Sequence, residues 1–589
     1  MLPCPTKYAD NHLYAYHASD LILEKVTLNM TDQASADSGG FSDIAGGPMK
    51  YTGKIERTKP GKIRYISPNI PEVQACRFDG ERYESLVPDT LDIADRADFA
   101  IHGLSNMADP EWDYEIWIEA LLRRNPPVLL HNFHDLNVAG DGFIEALTLM
   151  RAITDNNLNT DVDQGWMDSL LHMQGEDGLV YMPMANRPWA NIGREWLKGK
   201  GDSGTSDQLA SIHGQNGYIG AMALYYLITG EELWRERLER IINRMAELMV
   251  YKDDYCYYPI MAAAPGASVS PDMGKPDPDC IHEAGGLCAG HLIQALCYAY
   301  RATNYKPALE LAGKLAIYLK DHCGCYDLEG RFLGVAHTHM HVRSLSGLLE
   351  YGLLTENSNI IEFCRKSYAY ARLTGHPTVG FFPSLPGPDA TYYDNSTRAT
   401  LEPIMEGCSA ADMVAVAIKL SQGGVGDYWD DADRYVRNHF SEIQILRTDW
   451  VERMIDEIPK TPVDKDATQD LARGYETINP SGEKSIGAVC GVTLPNDISL
   501  RHPFERGFVL GCCNINFSRA IPYIWDNILN FEDGTLRVNL LLNRASQWAD
   551  VDSYIPYEGR VDVKIKQTCV LSVRIPEWVA SEDTYATVN

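Results

Sequence analysis

The sequence predicts a mainly α-helical fold, built as a closed α/α toroid or a solenoid and followed by a small or incomplete β domain. Two observations support this prediction. First, a motif that opens with a Gly or another small residue, continues as an amphipathic helix and ends in a Thr-containing turn occurs four times. Second, beyond about residue 530 the hydrophobic period falls from 3.6 to 2, the period of β-strands. An irregular helical domain is the alternative that fits the first pattern.

The helical repeat sets the expected domain boundaries. Its four copies begin at Gly142, Gly217, Gly290 and Ser344, and their turn threonines are Thr154, Thr229, Thr303 and Thr355. Loosely periodic helix pairs with long insertions are typical of toroids and solenoids. The helical pattern begins near Asp89, with an Asp at a position suited to a helix N-cap. We therefore expect an N-terminal extension over residues 1–85, a helical domain over 86–530 and a partial β domain over 531–589.

The predicted strands are short and few. They lie over residues 536–542, 560–565 and 568–575, where apolar and polar side chains alternate. Only about 60 residues follow the helical domain, so the sheet is expected to be small or incomplete.

Composition excludes several classes of protein. The chain has 589 residues, of which 45% are hydrophobic and 23% charged, as in ordinary globular proteins. Its 52 Lys and Arg against 81 Asp and Glu give a formal net charge of −29, and such a surface repels phosphate backbones and anionic lipids. We therefore expect no nucleic-acid and no membrane partner. A carbohydrate or another neutral small molecule suits this charge better.

The expected compartment is the cytoplasm. No run approaches the ~20 apolar residues that span a bilayer. The first residues also lack the charged region and apolar core of a secretion signal. Fourteen cysteines in a chain without such a signal indicate a reducing compartment, in which thiols serve as core residues or metal ligands.

Two short motifs bear the chemically informative residues. Cys512 and Cys513 are adjacent, and adjacent cysteines form a strained disulfide, pack as two core thiols or bind one metal ion. Glu406 and Cys408 place a carboxylate and a thiol two positions apart, ahead of a helical run. Three thiolates and one carboxylate make a complete tetrahedral shell for zinc. The spacing differs from that of a zinc finger, so the residues alone leave these possibilities open.

Taken in order along the chain, five motifs resemble glycoside hydrolase family 127, the bacterial β-L-arabinofuranosidases and their relatives. They read QGEDG at 174–178, GHLIQA at 290–295, EGC at 406–408, CCNIN at 512–516 followed by Arg519, and VRIPEW at 573–578. The resemblance covers most of the chain from about Asp89 onward. It implies an (α/α)6 barrel followed by β-sandwich domains, so that residues 531–589 would be a partial β-sandwich.

The resemblance also implies a zinc centre and a nucleophile. The implied zinc ligands are Glu406, Cys408, Cys512 and Cys513. Cys512 would be the nucleophile, because the thiolate is the nucleophilic form of cysteine and zinc keeps it deprotonated. Attack on an anomeric carbon would form a thioglycosyl-enzyme, which water hydrolyses with retained configuration. A purely structural zinc site is the alternative.

A retaining mechanism also needs a general acid that later acts as a base. The resembling enzymes carry a Glu sixteen positions before the Glu of the E-x-C motif, and this position is Ala390 here. Its neighbour Asp389, one methylene shorter than Glu, is the predicted acid/base. Asp394 and Glu402 are the alternatives.

Two histidines are predicted to contact the sugar. His282 lies in a His-Glu pair that resembles the family's H-E-L-Y segment, whose His faces the sugar. His339 is the central histidine of the HTHMH run at 337–341. In a strand its alternate imidazoles would share one face and could bind a metal, and in a loop they could bind sugar hydroxyls.

The sequence thus predicts a zinc-dependent, retaining glycoside hydrolase that removes a terminal L-arabinofuranose-like sugar from an oligosaccharide or glycoside. Two other classes of protein remain as alternatives. One is a non-catalytic, carbohydrate-binding toroid with a structural zinc, and the other is an α/α-barrel lyase or epimerase.

Overall fold

The computed structural model describes most of the chain from residue 63 onward. The described residues are 63–81, 87–122, 125–131, 142–187, 189–190, 206–274, 287–333, 338–383, 405–455, 475–493, 508–580 and 585–588.

Helices dominate this part of the chain. They are α1 (Ile93–Ser105), α2 (Ile144–Ile153), α3 (Thr160–Met173), α4 (Gln215–Thr229), α5 (Glu232–Glu247), α6 (Cys288–Thr303), α7 (Lys306–Ile317), α8 (Thr338–Leu354), α9 (Ser358–Leu373), α10 (Gly407–Gln422), α11 (Trp429–Tyr435), α12 (Asp449–Ile455), α13 (Ile478–Lys484) and α14 (Gly511–Ile528). The first begins after Asp92, whose side chain accepts a hydrogen bond from the Ala94 backbone N–H at 2.9 Å. The N-cap is therefore Asp92 rather than Asp89, and the helix begins after the predicted start.

In the described part of the chain, six helices pack side by side in a closed ring. They are α2, α4, α6, α8, α10 and α14; each packs against the next in this order, and α14 packs against α2. A second helix lies beside each of them: α3 beside α2, α5 beside α4, α7 beside α6, α9 beside α8, α11 beside α10 and α1 beside α14. Four of these helix pairs, α2 with α3, α4 with α5, α6 with α7 and α8 with α9, are the ones that the repeat predicted.

Burial distinguishes inner from outer helices. The outer helix α5 buries one stripe of apolar side chains, at the spacing expected of an amphipathic helix: Trp234, Leu238, Ile241, Ile242 and Met245. The inner helix α10 is instead buried at every position from residue 407 to residue 420. Such a helix packs against neighbouring helices on its outer side, and its inner side faces the interior of the ring.

The turn threonines of the repeat have a structural role. Each hydroxyl donates a hydrogen bond to the carbonyl four residues earlier, at 3.2 Å for Thr154, 2.8 Å for Thr229, 2.7 Å for Thr303 and 2.7 Å for Thr355. The first three also accept a bond from the backbone N–H two residues later. Each threonine therefore adds a side-chain hydrogen bond at a helix end, where the turn starts; the carbonyls of Met150 and Tyr351 also accept a bond from the threonine's own N–H.

Strands of two to five residues occupy the loops and the C-terminal region. They are β1 (Ala108–Asp109), β2 (Glu115–Ile116), β3 (Glu119–Leu121), β4 (Val128–Leu130), β5 (Met182–Pro183), β6 (Gln208–Ser211), β7 (Val250–Tyr251), β8 (Cys256–Tyr257), β9 (Ala262–Ala263), β10 (Met405–Glu406), β11 (Tyr475–Thr477), β12 (Val492–Thr493), β13 (Phe508–Leu510), β14 (Leu529–Glu532), β15 (Thr535–Val538), β16 (Arg544–Ala545), β17 (Ala549–Ser553), β18 (Val561–Ile565) and β19 (Val570–Val573).

Two sheets lie at the starts of α10 and α14, and two more lie in the C-terminal region. Near the helix starts, β11, β4, β3 and β13 form an antiparallel sheet in that order, and β10 pairs with β12. In the C-terminal region β14, β15 and β19 form one three-stranded sheet, with β15 and β19 parallel, and β16, β17 and β18 form another. The predicted strands at 560–565 and 568–575 correspond to β18 and β19. The one predicted over 536–542 begins as β15 but ends at Val538.

The C-terminal region is joined to the helices by buried polar contacts. Asp433, which is 0% exposed in α11, accepts a 2.6 Å hydrogen bond from Arg574 and also pairs with Arg437. On another side, Thr90 donates to the Ser553 carbonyl at 2.6 Å. Within the described residues, no helix is both long enough and apolar enough to cross a membrane.

Candidate active site

The candidate site lies where two strands run directly into two inner helices. Strand β10 leads into α10, and the Gly407 N–H donates to the Gly491 carbonyl at 2.9 Å. Strand β13 leads into α14, and the Gly511 N–H donates to the Ile118 carbonyl at 2.7 Å. A Cβ atom at Gly407 would lie 3.3 Å from Cys513 Cβ, so a glycine at this position lets the two helix starts approach closely.

The four predicted metal ligands meet at these helix starts. One ligand atom from each of Glu406, Cys408, Cys512 and Cys513 lies within 4.8 Å of all the others. The Sγ atoms of Cys408 and Cys513 are 3.3 Å apart, and those of Cys512 and Cys513 are 4.0 Å apart. Cys408 and Cys513 are 0% exposed and Glu406 is 2% exposed, whereas Cys512 is half-buried. Cys512 is thus the thiol of this group that a ligand can approach.

The three thiols differ in acidity. Hydrogen bonds from Cys408 and Cys513 lower the pKa of the Cys512 thiol well below its ordinary value, and the nearby His339 lowers it further. Burial raises the pKa of Cys408 and of Cys513. All three sit in the first turn of a helix, where the helix dipole favours negative charge. Cys512 is therefore the thiol that ionises first.

The residues present fit a metal ion. Two sulfurs bound to one tetrahedral zinc at about 2.3 Å would lie about 3.8 Å apart, which is close to the observed sulfur spacings. Soft sulfur donors with one carboxylate are a donor set that zinc accepts. Asn516 donates to Cys408 Sγ at 3.3 Å and accepts from Arg343 at 3.0 Å, so a ligand sulfur is oriented from α14.

From Thr338 onward the HTHMH run is helical, so neither of the two alternatives considered from the sequence, a strand and a loop, is correct for these residues. Helix α8 includes His339 and His341, and side chains two positions apart on a helix point about 200° apart. His341 stacks on Phe332 with ring centroids 4.3 Å apart and is 0% exposed. His339 faces Asp412 of α10, with Nδ1 at 2.7 Å from Oδ2. The two imidazoles therefore cannot share one metal ion, and His339 alone lies towards the thiols.

A further pair of histidines, His213 and His291, lies beside His339. His213, two residues before α4, lies with Nε2 at 2.9 Å from Nδ1 of His291, in the first turn of α6. The ring centroids of His291 and His339 are 6.2 Å apart. Burial and the positive charge of Arg343 lower the pKa of His291 well below its ordinary value, so this ring stays neutral. His291 is buried, and it lies beside the rings of His213 and His339.

A cavity runs along the ring interior next to these side chains. It is lined by residues that include Asp412, Arg343 and Asn516. A second, smaller cavity shares Arg343 and Arg519 with the first, and Glu145 lies 3.3 Å from Arg519 beside it. Cavities lined by several polar groups are where small ligands bind.

Sequence reasoning missed several residues of this site, namely Asp412, His213, Arg343 and Glu145. Asp412 follows the Glu-x-Cys motif by four residues and Arg343 follows the HTHMH run by two, but neither pattern assigns them a role. One signal was available: inner helices are apolar around most of their circumference, so an isolated charge within one marks the lumen. The other predicted site residues, Asp389, Asp394, Glu402 and His282, lie outside the described residues, and their roles stay predictions.

No known family profile matches the chain, and neither does any curated protein. Solved structures do match, and they include glycoside hydrolases. One of them is a β-arabinofuranosidase of glycoside hydrolase family 127, with a TM-score of 0.51 and 14% identity over 82% of this chain and 67% of that one. Another, described as a glycoside hydrolase, has a TM-score of 0.50 and 11% identity over 86% of this chain and 73% of that one.

A second family 127 β-L-arabinofuranosidase, from Geobacillus stearothermophilus T6, has a TM-score of 0.48 and 14% identity over 84% of this chain and 70% of that one. At such low identity the likeness to the first two structures establishes a shared fold. The predicted relation to glycoside hydrolase family 127 is therefore confirmed at the level of fold. The chemistry of this chain has to be argued from its own side chains.

Proposed function

We propose that the protein is a retaining glycoside hydrolase that removes a terminal L-arabinofuranose-like sugar from an oligosaccharide or glycoside. The observation that supports this proposal best is the cluster of Glu406, Cys408, Cys512 and Cys513, in which only the Cys512 thiol is accessible and acidic. This cluster occurs on a fold shared with a β-arabinofuranosidase. In this proposal residues 86–530 form an (α/α)6 barrel and residues 531–589 a partial β-sandwich.

A zinc ion held by these four residues would keep the Cys512 sulfur deprotonated and fixed in position. The protein itself supplies the rest of the sulfur's environment. The first turn of α14 places a positive dipole at the thiolate, and His339 adds a nearby positive charge when it is protonated.

The proposed reaction has two steps. The Cys512 thiolate attacks the anomeric carbon, so that a C–S bond forms as the glycosidic C–O bond breaks, and the leaving oxygen takes a proton from the general acid. Water then attacks the same carbon and displaces the thiolate, while the general base takes a proton from the water. Two displacements at one carbon retain its configuration. Asp389 is the predicted acid/base, with Asp394 and Glu402 as alternatives.

Sugar hydroxyls would be bound by polar groups around the thiol. Burial alone would lower the pKa of His339, but its hydrogen bond to Asp412 and the charges of Asp412 and Glu406 raise it. His339 can therefore act as a charged hydrogen-bond donor. His282 is the second predicted sugar contact.

Covalent trapping tests the nucleophile. The purified protein is incubated with a cyclitol epoxide shaped like β-L-arabinofuranose, digested, and analysed by mass spectrometry. One adduct per chain, on Cys512, is expected. The absence of an adduct after long incubation, together with saturable binding of the sugar, would indicate the carbohydrate-binding toroid.

Substitution tests the same claim through turnover. Cys512→Ser is expected to reduce hydrolysis of a chromogenic β-L-arabinofuranoside by at least about 1,000-fold, because a serine hydroxyl is not ionised near neutral pH. Cys569→Ser, which changes another half-buried thiol in the C-terminal region, should leave the rate unchanged. Hydrolysis retained by Cys512→Ser would rule out this nucleophile, and an unsaturated or epimerised product would indicate the lyase or epimerase.

A further inference from the structure

Asp412 is a buried carboxylate whose place in the site no motif explains. It lies on α10, four residues after Cys408, so both side chains are on the same face of the helix. It is 8% exposed and lines the larger cavity beside Arg343. Its Oδ2 atom is 2.7 Å from His339 Nδ1, a short contact that joins α10 to α8.

This contact determines which nitrogen of His339 faces a ligand. A carboxylate only accepts hydrogen bonds, so the proton at this contact is on Nδ1. Nε2 has no hydrogen-bond partner among the residues that the structure describes, and the side chain is 7% exposed. Nε2 is therefore left for a ligand, as an acceptor when the ring is neutral and as a donor when it is charged.

His339 is close enough to the thiol cluster for this orientation to matter. Its charge acts on Cys512, and the charge of Glu406 acts on His339 in turn. A sugar whose anomeric carbon lies at the Cys512 sulfur would therefore bring its hydroxyls near this imidazole.

We propose that Asp412 is a positioning residue: its carboxylate fixes the Nδ1–H form and the orientation of His339, so that Nε2 hydrogen-bonds a hydroxyl of the sugar held beside Cys512. This inference rests on the proposed glycosidase function. The competing explanation is that Asp412 merely ties α8 to α10. The two explanations differ in what Asp412 does once the imidazole is removed.

Asp412→Asn is the discriminating substitution, since it keeps the size of the side chain but adds an N–H donor. The amide can donate to Nδ1, which moves the ring proton to Nε2 and loses a charge-assisted hydrogen bond. We expect kcat/KM on a chromogenic β-L-arabinofuranoside to fall about 10- to 100-fold. Asp412→Glu, which restores the carboxylate, is expected to recover part of this loss.

A double-mutant cycle separates positioning from a structural tie. In a His339→Ala background, positioning predicts that Asp412→Asn changes kcat/KM by less than about 2-fold, because there is no ring left to orient. A structural tie predicts the same fold-loss in both backgrounds, and that result would overturn the proposal. Thermal unfolding of each variant identifies any that fails to fold.

The protonated nitrogen can also be observed directly. Zinc-loaded protein with ¹⁵N-labelled histidine is studied by long-range ¹H–¹⁵N correlation at a pH at which the ring is neutral, with His339→Ala to assign the signal. The expected result is an Nδ1–H ring in the wild type and a shift towards Nε2–H in Asp412→Asn. An Nε2–H ring in the wild type would refute the assignment. This spectrum needs no turnover, so it decides the role of Asp412 even if the wild type hydrolyses no glycoside, an outcome that would refute the proposed function instead.

Discussion

At the scale of single residues, the site depends on three thiols that differ in burial and in pKa. Cys408 and Cys513 are fully buried, and burial makes them poor acids when no metal is bound. Cys512 receives hydrogen bonds from both and is only half-buried. A nucleophile needs access and a low pKa together, and within this cluster Cys512 alone combines them.

The residue scale also shows where sequence reasoning succeeds and fails. The Cys512-Cys513 and Glu406-x-Cys408 motifs are rare enough to be noticed, but their meeting was implied only by the family resemblance, since they are about a hundred residues apart. Asp412 offers only the weaker signal of an isolated charge in an apolar helix, which is equally consistent with a buried ion pair such as that of Lys419 and Glu350. The HTHMH run is consistent with a strand or a loop, since three alternating histidines do not show that a helix starts at Thr338.

At the scale of elements, close contact between inner helices holds the side chains of the candidate site in place. Helices α6 and α8 cross where Gly290 and Gly347 face each other, and a Cβ at Gly347 would overlap the Gly290 carbonyl. His291 and His339 lie near the starts of the same two helices. The distance between these helices therefore sets the spacing between His291 and His339.

We predict that Gly347→Ala destabilises the protein by about 1–3 kcal/mol, because the added methyl group forces α6 and α8 apart. Urea denaturation measures the change. Gly220→Ala in α4 is the matched control: its Cβ would have Glu145 Oε2 at 3.6 Å as its nearest neighbour. Helix propensity should make this control neutral or stabilising by up to about 1 kcal/mol. Equal losses of unfolding free energy in the two variants would show that the close helix contact at Gly347 is not the cause of the destabilisation.

The elements were the most predictable part of the fold. The repeated Gly and Thr positions located four inner helices because each threonine forms the same local hydrogen bond at a helix end. Inner helix α10 was noticed only as a short run after the cysteine, because it is buried on all sides and lacks a polar stripe. The closing of the ring depends on contacts between helices distant in sequence, which periodicity does not report.

At the scale of the whole molecule, one buried ion cluster joins the helices to the C-terminal sheets. Asp433 contacts Arg437 of its own helical segment and Arg574 just after β19, and accepts a 3.4 Å hydrogen bond from the Leu541 N–H. Burial would raise the pKa of Asp433, but the charges of Arg437 and Arg574 outweigh it and lower the pKa. The VRIPEW motif predicted a strand here, but not that its Arg574 would anchor the sheet.

We predict that Asp433→Asn lowers the free energy of unfolding by about 3–5 kcal/mol at neutral pH, because it leaves buried guanidinium groups unpaired. A carboxylate whose pKa is lowered by folding stabilises the protein above its unfolded pKa of about 3.9 and loses this contribution as the pH falls through the folded pKa. The difference between variant and wild type should therefore shrink below about pH 4.

Denaturation at several pH values measures this difference, with Glu558→Gln as the control for an exposed ion pair. Glu558 lies 3.0 Å from Arg560 at the surface, and its removal should change stability by less than about 0.5 kcal/mol. A difference for Asp433→Asn that grows as the pH falls would contradict the assigned direction of the shift.

X-ray absorption at the zinc edge of the purified protein tests the central claim most directly, because it counts the sulfur and oxygen atoms around the metal. We expect one zinc ion per chain, bound by three sulfurs at about 2.3 Å and one oxygen at about 2.0–2.2 Å. Cys512→Ser should reduce the sulfur count from three to two. A protein that binds no zinc after reconstitution, or a zinc ion surrounded by nitrogen and oxygen alone, would contradict the account.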